Sequence, residues 1–216
     1  MPDFTIVLGN KAYSSWSLRG WLPLKLCGAD FDEVIVPLRQ SDSRERLLEA
    51  SPAGKVPVLK TDKGTVSDSL AIAEYLAERF PAAGLWPDDP WARAMARSVT
   101  AEMHSSFPNL RNECPMDVRS RHEGRQLSDA TRKDIERITE IWRDCRDNFG
   151  SGGDFLFGSF GIADAFFAPV VSRFVTYDVD LDPVCSAYRD AVMTRPEMRE
   201  WIEAGLAEPW IIEFGN

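Results

Sequence analysis

The chain has 216 residues, 44% hydrophobic and 27% charged, a composition that supports a folded core and excludes extended disorder. That length suits one large domain or two small ones. A net charge of −9 argues against nucleic acid or an anionic membrane as the main partner, because both demand a basic footprint. The opening residues Met1 to Thr5 lack the basic start and long apolar run of a secretory signal. The best apolar run, Ala165 to Val171, is far too short to span a bilayer, so a soluble cytoplasmic chain is expected. Cys27, Cys114, Cys145 and Cys185 form no C-x-x-C pair, and His104 and His122 are the only histidines. No metal site is expected from them.

Phe4 to Gly9 is a short apolar run that suits a buried strand. Beyond a polar loop, Leu18, Leu22 and Leu26 recur at helical spacing, with Gly28 as a C-terminal cap. Pro23 lies inside that pattern; it removes a hydrogen bond at a cost of ~3 kcal/mol and predicts a kink or an early stop. Phe31 to Val36 reads as a second strand, and Ser41 to Glu49 as a short charged helix with Leu47 and Leu48 facing inward. Val56, Val58 and Leu59 form a third strand, Asp62-Lys63-Gly64 a tight turn, and Thr65-Val66 an antiparallel return. Asp68-Ser69 then opens a helix carrying Ile72, Ala73, Leu76 and Phe80 on one face. The order β-α-β-α-β-β-α is that of a thioredoxin-like α/β domain whose first crossover makes a parallel pair.

Residues 81–90, rich in proline and without periodicity, read as a linker between domains at 1–80 and 91–216. The second domain reads as all-α. Asp89-Pro90 starts a helix with Trp91, Ala94, Met95, Ser98, Val99 and Met103 at helical spacing, and Pro108 should end or kink it. Ile135, Ile138, Trp142, Cys145 and Phe149 mark a second helix ending at Gly150. A third is entered at Gly161, where Asp164 can reach back to free N–H groups, so Asp164 reads as a folding residue rather than a catalytic one. Helices near 182–194 and 197–204, followed by Trp210 to Phe214, complete the domain.

Two places carry candidate chemistry. Pro57 donates no ladder bond, so it marks an edge, an entry or a cis bend; a cis bond would turn the Val56 backbone outward, free to pair with an extended peptide. Beside it, Ser67, Asp68 and Ser69 meet a helix N-terminus that favours a carboxylate, and Asp68 could hold an ammonium. One surface would thus suit a small peptide with a free α-amino acid end. The second place is Ser14-Ser15, just before the first helix. Serine there ordinarily serves as an N-cap, but its hydroxyl can also point at whatever occupies the hairpin surface.

Val56-Pro-Val-Leu59, Asp68-Ser69 and Ala71 to Leu76 resemble the glutathione-binding half of the glutathione transferases. The resemblance implies that the Val56 backbone pairs with the cysteinyl part of glutathione and that Asp68 and Ser69 take its γ-glutamyl end. Lys55 could offer an ammonium to the glycine carboxylate, or be a solvated loop lysine. Ser14-Ser-Trp-Ser-Leu-Arg19 resembles the Ser-Ser-Cys-x-Trp-Arg motif of the zeta-class enzymes, which include maleylacetoacetate isomerases. Ser14 then inherits the role of thiol activator, with Ser15 and the tyrosine-type alternative Tyr13 as runners-up. Trp16 stands where the family has cysteine and Leu18 where it has tryptophan, which weakens the isomerase assignment. The absence of cysteine from 14–16 argues against thiol–disulfide variants of the fold. Gly161 replaces the family's Ser or Thr cap before Ile-Ala-Asp.

A thiol of pKa ~8.5 holds little thiolate at neutral pH, and lowering it by about two units requires roughly 2.7 kcal/mol, within reach of one hydrogen bond plus a helix dipole. The expected activity is addition of glutathione, as co-substrate and without a metal, to a small electrophile by a homodimer. A glutathione-dependent cis–trans isomerase and a non-catalytic binding module of the same fold are the alternatives. Trp16, His104, Phe107, Arg111 and Arg173 are candidate second-substrate residues. Pro57 and Asp164 are the candidate structural residues.

Overall fold

The computed structural model describes residues 3–214, so the outermost residues of the two expected domains, 1–2 and 215–216, lie outside the description. Four strands, β1 (Phe4–Leu8), β2 (Phe31–Ile35), β3 (Val58–Thr61) and β4 (Gly64–Val66), form one sheet in the order β2-β1-β3-β4. β1 and β2 are parallel, and the β1–β3 and β3–β4 pairs are antiparallel, with Val7 opposite Val58 and Leu59 opposite Val66. Helices α1 (Ser15–Leu26), α2 (Ser43–Ala50) and α3 (Ser69–Arg79) complete the α/β domain. The helical domain comprises α4 (Pro90–Ser105), α5 (Pro108–Glu113), α6 (Asp129–Phe149), α7 (Ile162–Thr176), α8 (Pro183–Thr194) and α9 (Pro196–Ala207). No helix among the described residues is long and apolar enough to cross a membrane.

The helical domain is built on α7, whose residues from Ile162 to Phe174 are all buried. It packs against α1, where Arg19 Nε donates to Phe166 O at 3.0 Å, and Trp21 meets Trp201 of α9 with ring centroids 5.2 Å apart. One continuous core thus runs through both domains.

Several expectations need correcting. Pro23 does not stop α1, which runs to Leu26. The lost bond falls in the last turn, while Trp21, Leu22 and Leu24 beside it are fully buried, so packing outweighs the missing donor. Leu48 is 45% exposed; only Leu47 of that pair turns inward. On α4 the buried face is Ala92, Ala96, Val99, Thr100 and Met103, one step around from the expected stripe, and Trp91 is 67% exposed. Pro108 ends α4 as expected and sits in the first turn of α5, a six-residue helix with no sequence signal of its own. Trp210 to Phe214 run without regular structure.

The entry of α7 explains the unusual cap. Ile162 N donates to Leu85 O at 3.0 Å, and a Cβ on Gly161 would lie 2.7 Å from that same carbonyl oxygen. Only glycine lets the connecting segment pass so close. Asp164, fully buried, then accepts from Gly161 N and Leu156 N, each at 3.0 Å.

Candidate active site

Ser14 is the N-cap of α1, with extended backbone (φ −90, ψ 92). Its Oγ accepts from Ser17 N at 3.2 Å and lies 2.8 Å from Ser17 Oγ, which in turn accepts from Gly9 N at 2.8 Å. Ser17 thereby ties the end of β1 to the start of α1. The loop carrying Ser14 is held from both domains. Asn10 Oδ1 accepts from Leu38 N at 2.7 Å, while the Glu208 carboxylate beyond α9 accepts from Lys11 N at 2.7 Å and Ala12 N at 3.2 Å. Gly205 permits that approach, since a Cβ there would lie 2.9 Å from Ala12 N.

Opposite Ser14 stands the turn into β3. The Val56–Pro57 peptide is cis, as is Ser67–Asp68. Val56 lies outside the ladder, whose first pair on this strand is Val58 with Val7. Pro57 is seated on α1 at Gly20, where a Cβ would come within 2.7 Å of the proline Cγ. A Gly20→Ala variant is therefore expected to push the Pro57 turn outward and to cost about 1–3 kcal/mol of stability. Urea unfolding, beside a glutathione titration, checks this; unchanged values in both would show that the turn yields freely.

At the third corner Asp68 caps α3, its Oδ1 accepting from Leu70 N at 2.8 Å. Its Oδ2 is 3.4 Å from Nε2 of His104, so the end of α4 reaches the first domain here. Burial holds the His104 pKa below its usual value, and Arg19 and Arg111 add to the effect against the opposing pull of Asp68. The contact is thus one between a neutral imidazole and a carboxylate at neutral pH. Ser69, 1% exposed, has a buried hydroxyl with no partner.

Ser14, Trp16, Leu38, Lys55, Val56, Pro57, Asp68 and Ser69 line one cavity of about 520 Å³. Most of the residues singled out in the sequence converge there. The runners-up for thiol activation do not. Ser15 Oγ accepts from Arg173 Nη2 at 3.3 Å, and Tyr13 lines a second cleft, its ring edge-on to Phe214 at 5.7 Å. Of the candidate second-substrate residues, Trp16 lines the Ser14 cavity, with His104 at 5.3 Å and the guanidinium of Arg111 at 5.0 Å from its ring centroid. Phe107 is instead a core residue, 4% exposed, at the left-handed junction (φ 64) between α4 and α5. Arg173 is also sealed, 4% exposed, its fork spent on Cys114 O and Pro169 O as well as Ser15. Among the described residues no group of three His, Cys, Asp or Glu side chains converges as a metal site.

Sequence reasoning missed Ser17, Gly20, Asn10 and Glu208. Ser17 had a signal, being three residues after an N-cap serine, whereas Glu208 acts across nearly the whole length of the chain and leaves no local trace.

Comparison with known proteins identifies the family of both halves of the chain. The glutathione S-transferase N-terminal domain model matches residues 13–79, and the C-terminal domain model of the same family matches 125–204. The chain is 28% identical over 173 residues to a probable maleylacetoacetate isomerase from Caenorhabditis elegans, covering 78% of each protein. It is 25% identical over 212 residues to glutathione S-transferase omega-2 from Homo sapiens, covering 98% of this chain and 80% of that one. Among solved structures, a glutathione transferase homolog from Burkholderia with bound glutathione matches with a TM-score of 0.74 at 26% identity, over 96% of this chain and 100% of the other. With its α/β and helical halves both matched, the chain belongs to the glutathione S-transferase family.

Proposed function

We propose that the protein is a cytoplasmic, homodimeric glutathione transferase of two domains, 1–80 and 91–216, that adds the glutathione thiolate to a small electrophile with Ser14 as activator. The observation that carries the reading is the convergence of Ser14, Lys55, Val56, Asp68 and Ser69 on one cavity. The unpartnered hydroxyl of Ser69 there lacks the acceptor that a γ-glutamyl carboxylate offers. Asp68 keeps an exposed carboxylate for the α-ammonium, and Lys55 a charge for the glycine end. Ser17 N–H donates to Ser14 Oγ while the Ser14 hydroxyl donates to Ser17 Oγ; rotating that proton from Ser17 to the sulfur gives a hydrogen bond that favours thiolate over thiol. The thiolate then attacks the electrophilic carbon.

The Ser69→Ala variant tests the site. Losing one charge-assisted bond of about 1.5 kcal/mol or more raises the Kd for glutathione about ten-fold by calorimetry, with the fold intact by circular dichroism. An unchanged Kd removes the γ-glutamyl assignment, and no glutathione binding by the parent protein at millimolar concentration favours a non-catalytic binding module. Light scattering checks the dimer.

Likeness to the Caenorhabditis elegans isomerase favours a second reading, in which the thiolate adds to a conjugated double bond, the single bond so formed rotates, and the thiolate leaves again. Product analysis with maleylacetone separates the two, because isomerisation consumes no glutathione.

A further inference from the structure

The loop that carries Ser14 is a turn closed on Asn10, whose carbonyl oxygen accepts from Tyr13 N at 3.1 Å and Ser14 N at 2.8 Å. The two N–H groups between them, those of Lys11 and Ala12, go to one carboxylate instead. Glu208 Oε1 accepts from Lys11 N at 2.7 Å, and Oε2 from Ala12 N at 3.2 Å. Lys11 and Ala12 are 7% and 0% exposed, so leaving those donors open would be costly.

Glu208 is itself held in place. It follows α9 directly, with extended backbone (φ −62, ψ 139). Arg119 donates to Gly205 O at 2.8 Å and to Glu208 O, satisfying the carbonyls left open at the end of that helix. One residue earlier, Val118 N donates to Ala12 O at 3.2 Å, so one short segment grips both the loop and its holder. The carboxylate is not there to form an ion pair. Among the described residues no Lys, Arg or His nitrogen lies within 4.0 Å of it, and Lys11 sends its ammonium to Glu33.

We propose that Glu208 is a positioning residue for the reaction, holding the Lys11 and Ala12 peptides so that the Ser14 hydroxyl is aimed at the sulfur of glutathione. Without it the middle of the turn is free to swing, and Ser14 moves too, because its own N–H closes that turn. A hydrogen bond to sulfur weakens steeply with misalignment, and displacement by about 1 Å is enough to slow a reaction severely. The inference rests on the assignment of Ser14 as thiol activator.

The sign of the effect separates this role from a purely electrostatic one. A carboxylate acting through its charge disfavours a thiolate, so its removal would lower the thiol pKa. A carboxylate acting through the loop favours the thiolate, so its removal raises that pKa.

Glu208→Ala is expected to move the titration of enzyme-bound glutathione thiol up by about one unit, read by thiolate absorbance. At pH 6 the thiolate fraction then falls about eight-fold, offset about three-fold by the better nucleophile. Misplacement of the hydroxyl brings the whole loss in kcat, with 1-chloro-2,4-dinitrobenzene as electrophile, to about ten-fold. Glu208→Gln keeps the shape and one acceptor oxygen without the charge, and should fall between Glu208→Ala and the parent in both readings. In a Ser14→Ala background either change moves the thiol titration negligibly and kcat by no more than about two-fold, because no hydroxyl is left to aim. A titration in Glu208→Gln that falls or stays put, or a loss in the Ser14→Ala background equal to that in the parent, overturns the proposal. Should Glu208→Ala fail to fold by circular dichroism, Glu208→Gln alone carries both comparisons. The single Ser14→Ala variant reads the earlier assignment separately: an unmoved titration there sinks Ser14 as activator, whereas a normal shift there with unmoved Glu208 variants sinks only this inference.

Discussion

Replacing Ser14 by alanine is expected to move the titration of enzyme-bound glutathione thiol up by about two units, towards the free value of ~8.5. The rate loss must then depend on pH. At pH 6 the thiolate fraction falls about 75-fold, but a thiolate of higher pKa is the better nucleophile, by roughly eight-fold for a Brønsted slope of 0.4–0.5. Ionisation alone therefore costs about ten-fold at pH 6 and about three-fold at pH 7. Loss of the fixed sulfur position adds a further factor, bringing the fall in kcat towards 10²-fold at the acid end. Above pH 9 the ionisation deficit disappears while the roughly eight-fold nucleophilic gain remains, so the shortfall from that gain measures positioning. Glutathione affinity should weaken only about four-fold at pH 7, the amount linked to the lost thiolate stabilisation, because Lys55, Val56, Asp68 and Ser69 hold the tripeptide elsewhere in the cavity. Thiolate absorbance and a pH–rate profile of the variant check both parts. A thiol titration that does not move would transfer the role from Ser14 to another group.

The elements that build this site were legible in the sequence where the signal is local. The β3–β4 hairpin follows from alternating apolar residues around Asp62-Lys63-Gly64, and the caps at Ser14, Asp68 and Asp89 from residue types that satisfy orphan N–H groups. Cues set by tertiary contact misled. The buried face of α4 lies one step from the expected stripe because it includes the small residues Ala92 and Ala96 on a helix packed against α7, whose burial the size of a side chain does not announce. Phe107 is a pocket candidate by its place near the end of α4 and Arg173 by its resemblance to an isomerase arginine, yet both are buried in the core. Glu208, Gly205 and the cleft at Tyr13 come from chain segments far apart in sequence, so no periodicity could announce them. The division has a physical origin: turn and cap chemistry is decided within a few residues, whereas which side chain faces a ligand is decided by packing.

Asp164→Ala is expected to be the most destabilising single change of those considered. The carboxylate is fully buried and satisfies Gly161 N and Leu156 N. Two charge-assisted bonds lost, with two buried donors left open and a small void, amount to about 3–5 kcal/mol, or a fall in Tm of roughly 10–15 °C for a chain of this size. The missing cap side chain at Gly161 makes the loss harder to absorb, because Leu85 O leaves no room for a substitute hydroxyl. Asp164→Asn separates charge from shape. Burial pushes the Asp164 carboxyl up to about 6, against ~3.9 in an unfolded chain, so between those values the folded state holds the extra proton. The stability linked to that proton is complete below pH ~4 and is lost as pH rises through 6, by about 2–3 kcal/mol. Asparagine has no such dependence. The deficit of Asp164→Asn should therefore be largest near pH 4 and narrow towards pH 7 in parallel urea titrations. A deficit that instead widens with pH would mean that the two N–H bonds outweigh burial and that the native carboxylate ionises more readily than a free one.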